Sequence, residues 1–135
     1  MFLFLRKTRK ARKNVDVPSP RIAAITHSGR QRSHNEDSFL LVQLPDRQDV
    51  LMAIADGVGG EEAGEVASYT ALRSLLRERL NWHQASIDTP EAAREMLSGG
   101  LYRANWELSS INARFMGEHF CMGTTVVAIV ITGSK

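Results

Sequence analysis

Six consecutive apolar residues, Val126, Val127, Ala128, Ile129, Val130 and Ile131, constrain the fold more than any other part of the chain. A run this short and this rich in β-branched side chains reads as one strand, over residues 124–132, with apolar groups on both faces. Such a strand normally lies inside a sheet that is covered on both sides, because at an open edge it would template aggregation. Yet only Gly133-Ser134-Lys135 follow it. The strand therefore either pairs on both sides with earlier strands or lacks its next neighbour. The second alternative is expected here, with these 135 residues forming the N-terminal part of a larger domain.

Further strands are predicted over residues 22–26, 39–44 and 50–55, each short, apolar and bounded by turn residues, with Pro45-Asp46 turning between the last two. The strand at 50–55 ends in Asp56-Gly57-Val58-Gly59-Gly60, and Glu61, Glu62 and Glu65 then open a helix that carries Leu72, Leu75, Leu76 and Leu80 at helical spacing. Thr89 as N-cap and Pro90 at the first helical position start a second helix. Ala93, Leu97, Leu101, Ala104, Leu108 and Ile111 form its inward face, and Gly99-Gly100 are expected to bend it. No internal repeat is present.

Composition excludes several classes. With 43% hydrophobic and 24% charged residues the chain is globular, neither collagenous nor wholly disordered. The net charge of +2 conceals an asymmetry: Arg6, Lys7, Arg9, Lys10, Arg12 and Lys13 all precede the first acid, Asp16. Without them 11 basic residues face 15 acidic ones, a net of −4, so the body is no nucleic-acid binder. Residues 1–20 read as a solvated, disordered basic arm, closed by Pro18 and Pro20, in preference to a contact with a membrane surface or an acidic partner. The apolar start at Phe2 is too short for a secretion signal or a transmembrane segment. One cysteine, Cys121, permits neither an intrachain disulfide nor a multi-cysteine zinc site; it reads as a small buried hydrophobe in a reducing, cytoplasmic protein.

A few positions carry chemistry. Asp56 stands at the end of a buried strand, and Gly57 can turn its carbonyl toward whatever the carboxylate faces, which suits a hard cation such as Mg²⁺ or Mn²⁺. On the dipeptide alone, a plain Asp-Gly turn is the commoner reading. Asn35-Glu36-Asp37 adds carboxylates just before a strand, and Arg30 and Arg32 are permanent cations suited to phosphate. The glycines fit no nucleotide loop, because Glu61 and Glu62 follow Gly60 and no Gly-Lys-Ser/Thr occurs. Ser28, Ser33 or Ser38 with His27 or His34 lacks a Gly-x-Ser-x-Gly elbow. His83 and His119 are isolated, and Trp82 and Trp106 suit helix packing rather than base stacking.

Three blocks resemble the metal-dependent protein phosphatases of the PP2C (PPM) type, in their compact bacterial branch. They are Gly29-Arg30-Gln31-Arg32-Ser33-His34-Asn35-Glu36-Asp37-Ser38, then Ala55-Asp56-Gly57-Val58-Gly59-Gly60 through Ala63-Gly64-Glu65-Val66-Ala67-Ser68, and Met122-Gly123-Thr124-Thr125. The resemblance covers residues 21–132 in matching order and spacing, and it implies an α+β fold: an αββα sandwich, here represented by roughly its first half. It implies hydrolysis of phosphoserine and phosphothreonine in proteins, with two Mn²⁺ or Mg²⁺ ions between the sheets. Asp56 would bridge both metals, Gly57 would supply a carbonyl ligand, Asp37 would serve the metal shell with Glu36 as second choice, and Arg32 would clamp the phosphate. Val58 stands where animal members carry a histidine proposed as general acid. The later ligand blocks of the family, a Gly-Asp-Ser-Arg, an Asp-Gly and a final Asp-Asn, are absent from this sequence. Asp56 and Asp37 cannot close two octahedral shells alone, so family activity and activity of this chain are separate claims. Implied partners are phosphoproteins and a cognate Ser/Thr kinase. Two alternatives accompany this expectation: a catalytically silent phosphoprotein-binding or regulatory fragment, and the related phosphatases that act on anti-sigma-factor antagonists.

Overall fold

The computed structural model describes residues 22–43, 50–59, 63–82, 87, 89–116 and 121–132. The basic arm, the turn at Pro45-Asp46, Glu61, Glu62, His83 and His119 lie outside the described residues. Three strands, β1 (Asp37–Gln43), β2 (Val50–Val58) and β3 (Gly123–Ile131), form one antiparallel sheet in the order β1-β2-β3. Helices α1 (Ala63–Asn81) and α2 (Pro90–Ile111) separate β2 from β3, and a π-helical turn over Asn112–Met116 extends α2.

Period-two alternation places the core. In β2, Leu51, Ala53, Ala55 and Gly57 are buried whereas Ile54, Asp56 and Val58 are exposed. The buried side packs on α1: Ala53 and Ala55 meet Leu72 and Leu75, with Leu40, Leu97, Val126 and Ala128 around them. A second cluster joins Ala67, Leu108 and Met122. Because α1 lies against both the sheet and α2, small residues are buried along it, among them Gly64, Ala67, Ser68, Ala71 and Ser74. α2 answers with Met96, Gly100, Ala104 and Leu108, a ridge spaced by four.

Five expectations need correction. Residues 22–26 form no strand: among the described residues nothing pairs with the outer edge of β1, and Ile25 is 92% exposed. Asp56 lies within β2 instead of after it, since the strand continues while Asp37 pairs on one side and Thr125, Thr124 and Gly123 on the other. Gly99-Gly100 do not interrupt α2. A Cβ at Gly100 would lie 2.7 Å from Leu75 Cδ2 and 3.2 Å from Leu75 Cα, so glycine there serves close helix approach. The ridge through Gly100 turns Met96 inward and leaves Leu101 and Trp106 exposed. Cys121 is exposed as well, its Sγ accepting from Asn112 Nδ2 at 3.2 Å.

The long apolar strand is found where its sequence predicts one, paired among the described residues with β2 alone. Val126, Ala128 and Val130 face the helices half-buried, while Val127, Ile129 and Ile131 are exposed on the far side of the sheet.

Thr89 caps α2 as its sequence predicts: its Oγ1 accepts from Ala92 N–H at 3.1 Å, and Pro90 follows at the start of the helix. Thr89→Ala is expected to lower stability by about 1 kcal/mol. A shift of the urea midpoint at constant slope would measure it; an unchanged midpoint would mean that the cap contributes nothing.

Candidate active site

Asp37 and Asp56 are directly opposite each other in the β1–β2 ladder. Gly57 N–H donates to Glu36 O at 3.2 Å, and by the alternation of antiparallel pairing this makes Asp37–Asp56 a non-hydrogen-bonded pair, the kind whose side chains approach most closely. Both residues are exposed, on the sheet face turned away from the helices. Thr125 stands opposite Asp56 on the other side. The row Asp37, Asp56, Thr125 thus crosses all three strands, and the next rows on that face, Phe39, Ile54, Val127 and Leu41, Met52, Ile129, are apolar. Two carboxylates set directly opposite repel each other, and a cation held between them would offset that cost.

Close backbone approach builds this end of the sheet. A Cβ at Gly57 would collide with the carbonyl oxygen of Gly64 in the first turn of α1 and lie 3.0 Å from Glu36 O. A Cβ at Gly64 would in turn lie 2.8 Å from Glu36 Oε1. Glu36 is therefore packed against the start of α1, and its carboxylate also pairs with Arg32 Nη1 at 3.6 Å. From the helix side, Ser38 Oγ and Ser68 Oγ are hydrogen-bonded at 2.9 Å and tie β1 to α1. Thr124 Oγ1 donates to Asp56 O at 2.9 Å.

Arg32 lies in the segment before β1 with its side chain 70% exposed, so its contact with Glu36 leaves the guanidinium open to solvent and to an anion. That segment turns at Gly29, whose φ of 78° favours glycine and whose N–H donates to His27 Nδ1 at 2.8 Å. His27 and Ser38 thus have hydrogen-bond partners other than each other. Among the described residues no group of three or more His, Cys, Asp or Glu is arranged to hold a metal ion. Of the predicted ligands the fold brings Asp37, Asp56 and Gly57 together along one sheet end, with Glu36 behind them on the α1 side. Sequence reasoning gave no role to Asn35 or Thr124, which bond the backbone at Asp37 and Asp56 respectively. An amide two residues before the acid was the available signal for Asn35.

Asp37, Asp56 and Thr125 thus end an otherwise apolar sheet face, with a helix layer behind it. Comparison with known proteins identifies the class. The chain is 34% identical over 111 residues to the serine/threonine phosphatase stp of Listeria monocytogenes, covering 82% of this chain and 42% of that protein. It is 32% identical over 117 residues to the serine/threonine protein phosphatase PstP of Mycobacterium tuberculosis, covering 85% of this chain and 20% of that protein. The solved serine/threonine phosphatase of S. agalactiae superposes with a TM-score of 0.67 at 25% identity, over 81% of this chain and 43% of that one. No protein-family model matches. Over the segment that it spans, the chain is a homologue of the bacterial PP2C-type serine/threonine phosphatases, and it corresponds to their N-terminal part. It spans less than half the length of the Listeria and S. agalactiae relatives. Among the described residues no helix is long and apolar enough to cross a membrane.

Proposed function

We propose that this chain supplies the first metal-binding edge of a protein phosphatase that hydrolyses phosphoserine and phosphothreonine in proteins. The observation that carries this reading is the exposed, cross-strand pair Asp37–Asp56 beside Gly57. Two carboxylates and a backbone carbonyl are the donors that Mn²⁺ and Mg²⁺ accept, so the residues present fit a share of a two-cation site. In this reading Asp56, the Gly57 carbonyl and Asp37 would hold the cations, with Glu36 the second candidate for direct ligation. When bound, such cations supply an acidified water and neutralise charge on phosphate.

This chain's own residues do the rest. The exposed guanidinium of Arg32 binds and orients the phosphoryl oxygens, with two or more N–H donors against charge that grows in the transition state. The apolar rows behind the acids exclude water once covered, which strengthens each charged contact at the site. Phosphoproteins are the substrates and a cognate Ser/Thr kinase the opposing enzyme, and the single cysteine suits a cytoplasmic setting. A second reading, a silent phosphoprotein-binding module acting through Arg32, is favoured by one observation: the largely exposed guanidinium can meet a phosphate without any cation beside it.

Mn²⁺ titration of the chain and of Asp56→Asn, followed by electron paramagnetic resonance, tests the metal edge. Loss of an outer-sphere partner alone costs about 10–100-fold in metal affinity, so loss of a ligand is expected to cost at least that. Equal affinity in both chains would sink the proposal. Phosphate release from a phosphothreonine peptide, by the chain alone and mixed with the remaining segment of the Listeria relative, separates the two readings. Release that requires Mn²⁺ and Asp56 carries the phosphatase; Mn²⁺ binding with no release in either sample carries the silent module.

A further inference from the structure

One side chain fastens the segment that bears Arg32 to the strand that bears Asp37. Asn35 Nδ2 donates to Thr26 Oγ1 at 2.8 Å, and Asn35 Oδ1 accepts from Asp37 N–H at 3.2 Å. Both bonds come from one half-buried amide. The second bond fills a defined gap. Asp37 belongs to a non-hydrogen-bonded pair, so its N–H points away from β2, toward the outer edge of β1, where no described strand lies. Asn35 supplies the missing acceptor there, and the start of β1 is held in register up to the acid itself. The first bond closes residues 26–35 into a loop that contains the Gly29 turn and Arg32.

We propose that Asn35 is a positioning residue which holds the Arg32 loop and the Asp37 carboxylate in one frame, through its paired bonds to Thr26 and to the Asp37 amide. The inference rests on the reading of Asp37 and Asp56 as metal ligands and adds a residue that touches neither metal nor phosphate. Alanine at position 35 removes both bonds, while Thr26→Val removes only the acceptor for Nδ2 and adds no charge near the acids. Thr26→Ser keeps the hydroxyl and serves as the conservative rescue.

The test uses the full chain and two readouts. In the metal-free protein, hydrogen exchange of the Asp37 amide reports the bracket directly; in the presence of metal, Mn²⁺ affinity reports its effect on the site. Asn35→Ala is expected to accelerate Asp37 exchange and to weaken Mn²⁺ roughly tenfold, Thr26→Val to give a smaller loss of the same sign, and Thr26→Ser to restore the native values. Native exchange and native affinity in Asn35→Ala, or in Thr26→Val where the alanine variant fails to fold, would overturn the proposal. A loss that Thr26→Ser does not restore would overturn it too, because the hydroxyl contact would then be irrelevant. The outcome for the metal reading is separate: if Asp56→Asn binds Mn²⁺ as the native chain does, that reading fails, and Asp37 exchange still decides whether Asn35 brackets the strand.

Discussion

Alanine at position 57 is expected to destabilise the chain strongly, although the change adds a single methyl group. The new Cβ would run into the carbonyl oxygen of Gly64 on one side and sit 3.0 Å from Glu36 O on the other. Both obstacles are backbone, so no rotamer change relieves them. The Glu36 carbonyl is fixed by its bond from Gly57 N–H, and Gly64 is pressed from beyond by the Glu36 side chain. Moving α1 outward would open the contacts of Ala53 and Ala55 with Leu72 and Leu75. Overpacking in a well-filled core costs about 1–3 kcal/mol, and this site, with no flexible neighbour, belongs at or above the upper end. Gly123 provides the contrast. It lies in β3 opposite Val58, and a Cβ there would meet nothing nearer than Val58 Cγ2 at 3.7 Å. Gly123→Ala is therefore expected to keep the native urea midpoint while Gly57→Ala moves it far down. Coincident midpoints for the two variants would show that the close packing of β2 on α1 is not what demands glycine.

The same contrast shows what the sequence made legible. β1, β2 and β3 are short apolar stretches bounded by turn residues, and Thr89-Pro90 is a local cap, so each could be read from neighbouring residues alone. Residues 22–26 have the same local character and still form no strand, because strand formation needs a partner and pairing is not a local property. The inward face of α2 was misplaced at Leu101 for a related reason: Gly100, which has no apolar side chain, is buried close against Leu75. Hydrophobic periodicity does not weigh a residue for its smallness. The candidate site divides in the same way. Asp37, Asp56, Gly57 and Arg32 were singled out by residue type and by resemblance, but the cross-strand meeting of the two acids is a matter of register. The bond from Asn35 to Thr26 joins residues nine apart and depends on the turn at Gly29.

Leu75→Ala is expected to have the other large effect, a loss of about 2–5 kcal/mol. Leu75 is fully buried, between Ala53 and Ala55 of the sheet and Gly100 of α2. The cost depends on whether the surroundings can collapse into the space left behind. Toward the sheet and α2 they are alanine methyls and helix backbone, which cannot swing inward, whereas Leu40, Leu72 and Leu97 border the same cluster and fill part of the space, so the loss should fall near the middle of that range. The ion pairs that also join α1 to α2, Arg73 and Arg77 with Glu107 and Arg103 with Glu78, have arginines at the surface and do not compensate. Leu101→Ala on the outer side of α2, where the side chain is 40% exposed, should cost a small fraction of this. Equal losses at the two leucines would contradict the placement of the core between sheet and helices. A domain holds only about 5–15 kcal/mol in total, and this one leaves the apolar row of Ile54 and Val127 in contact with water. The loss at Leu75 should therefore appear directly in a thermal melt as a lowered midpoint. It should reach the site as well: α1 holds Gly57 and Glu36 in place through Gly64, so a loosened α1 is expected to weaken the Mn²⁺ binding proposed for Asp37 and Asp56 without any change to either acid.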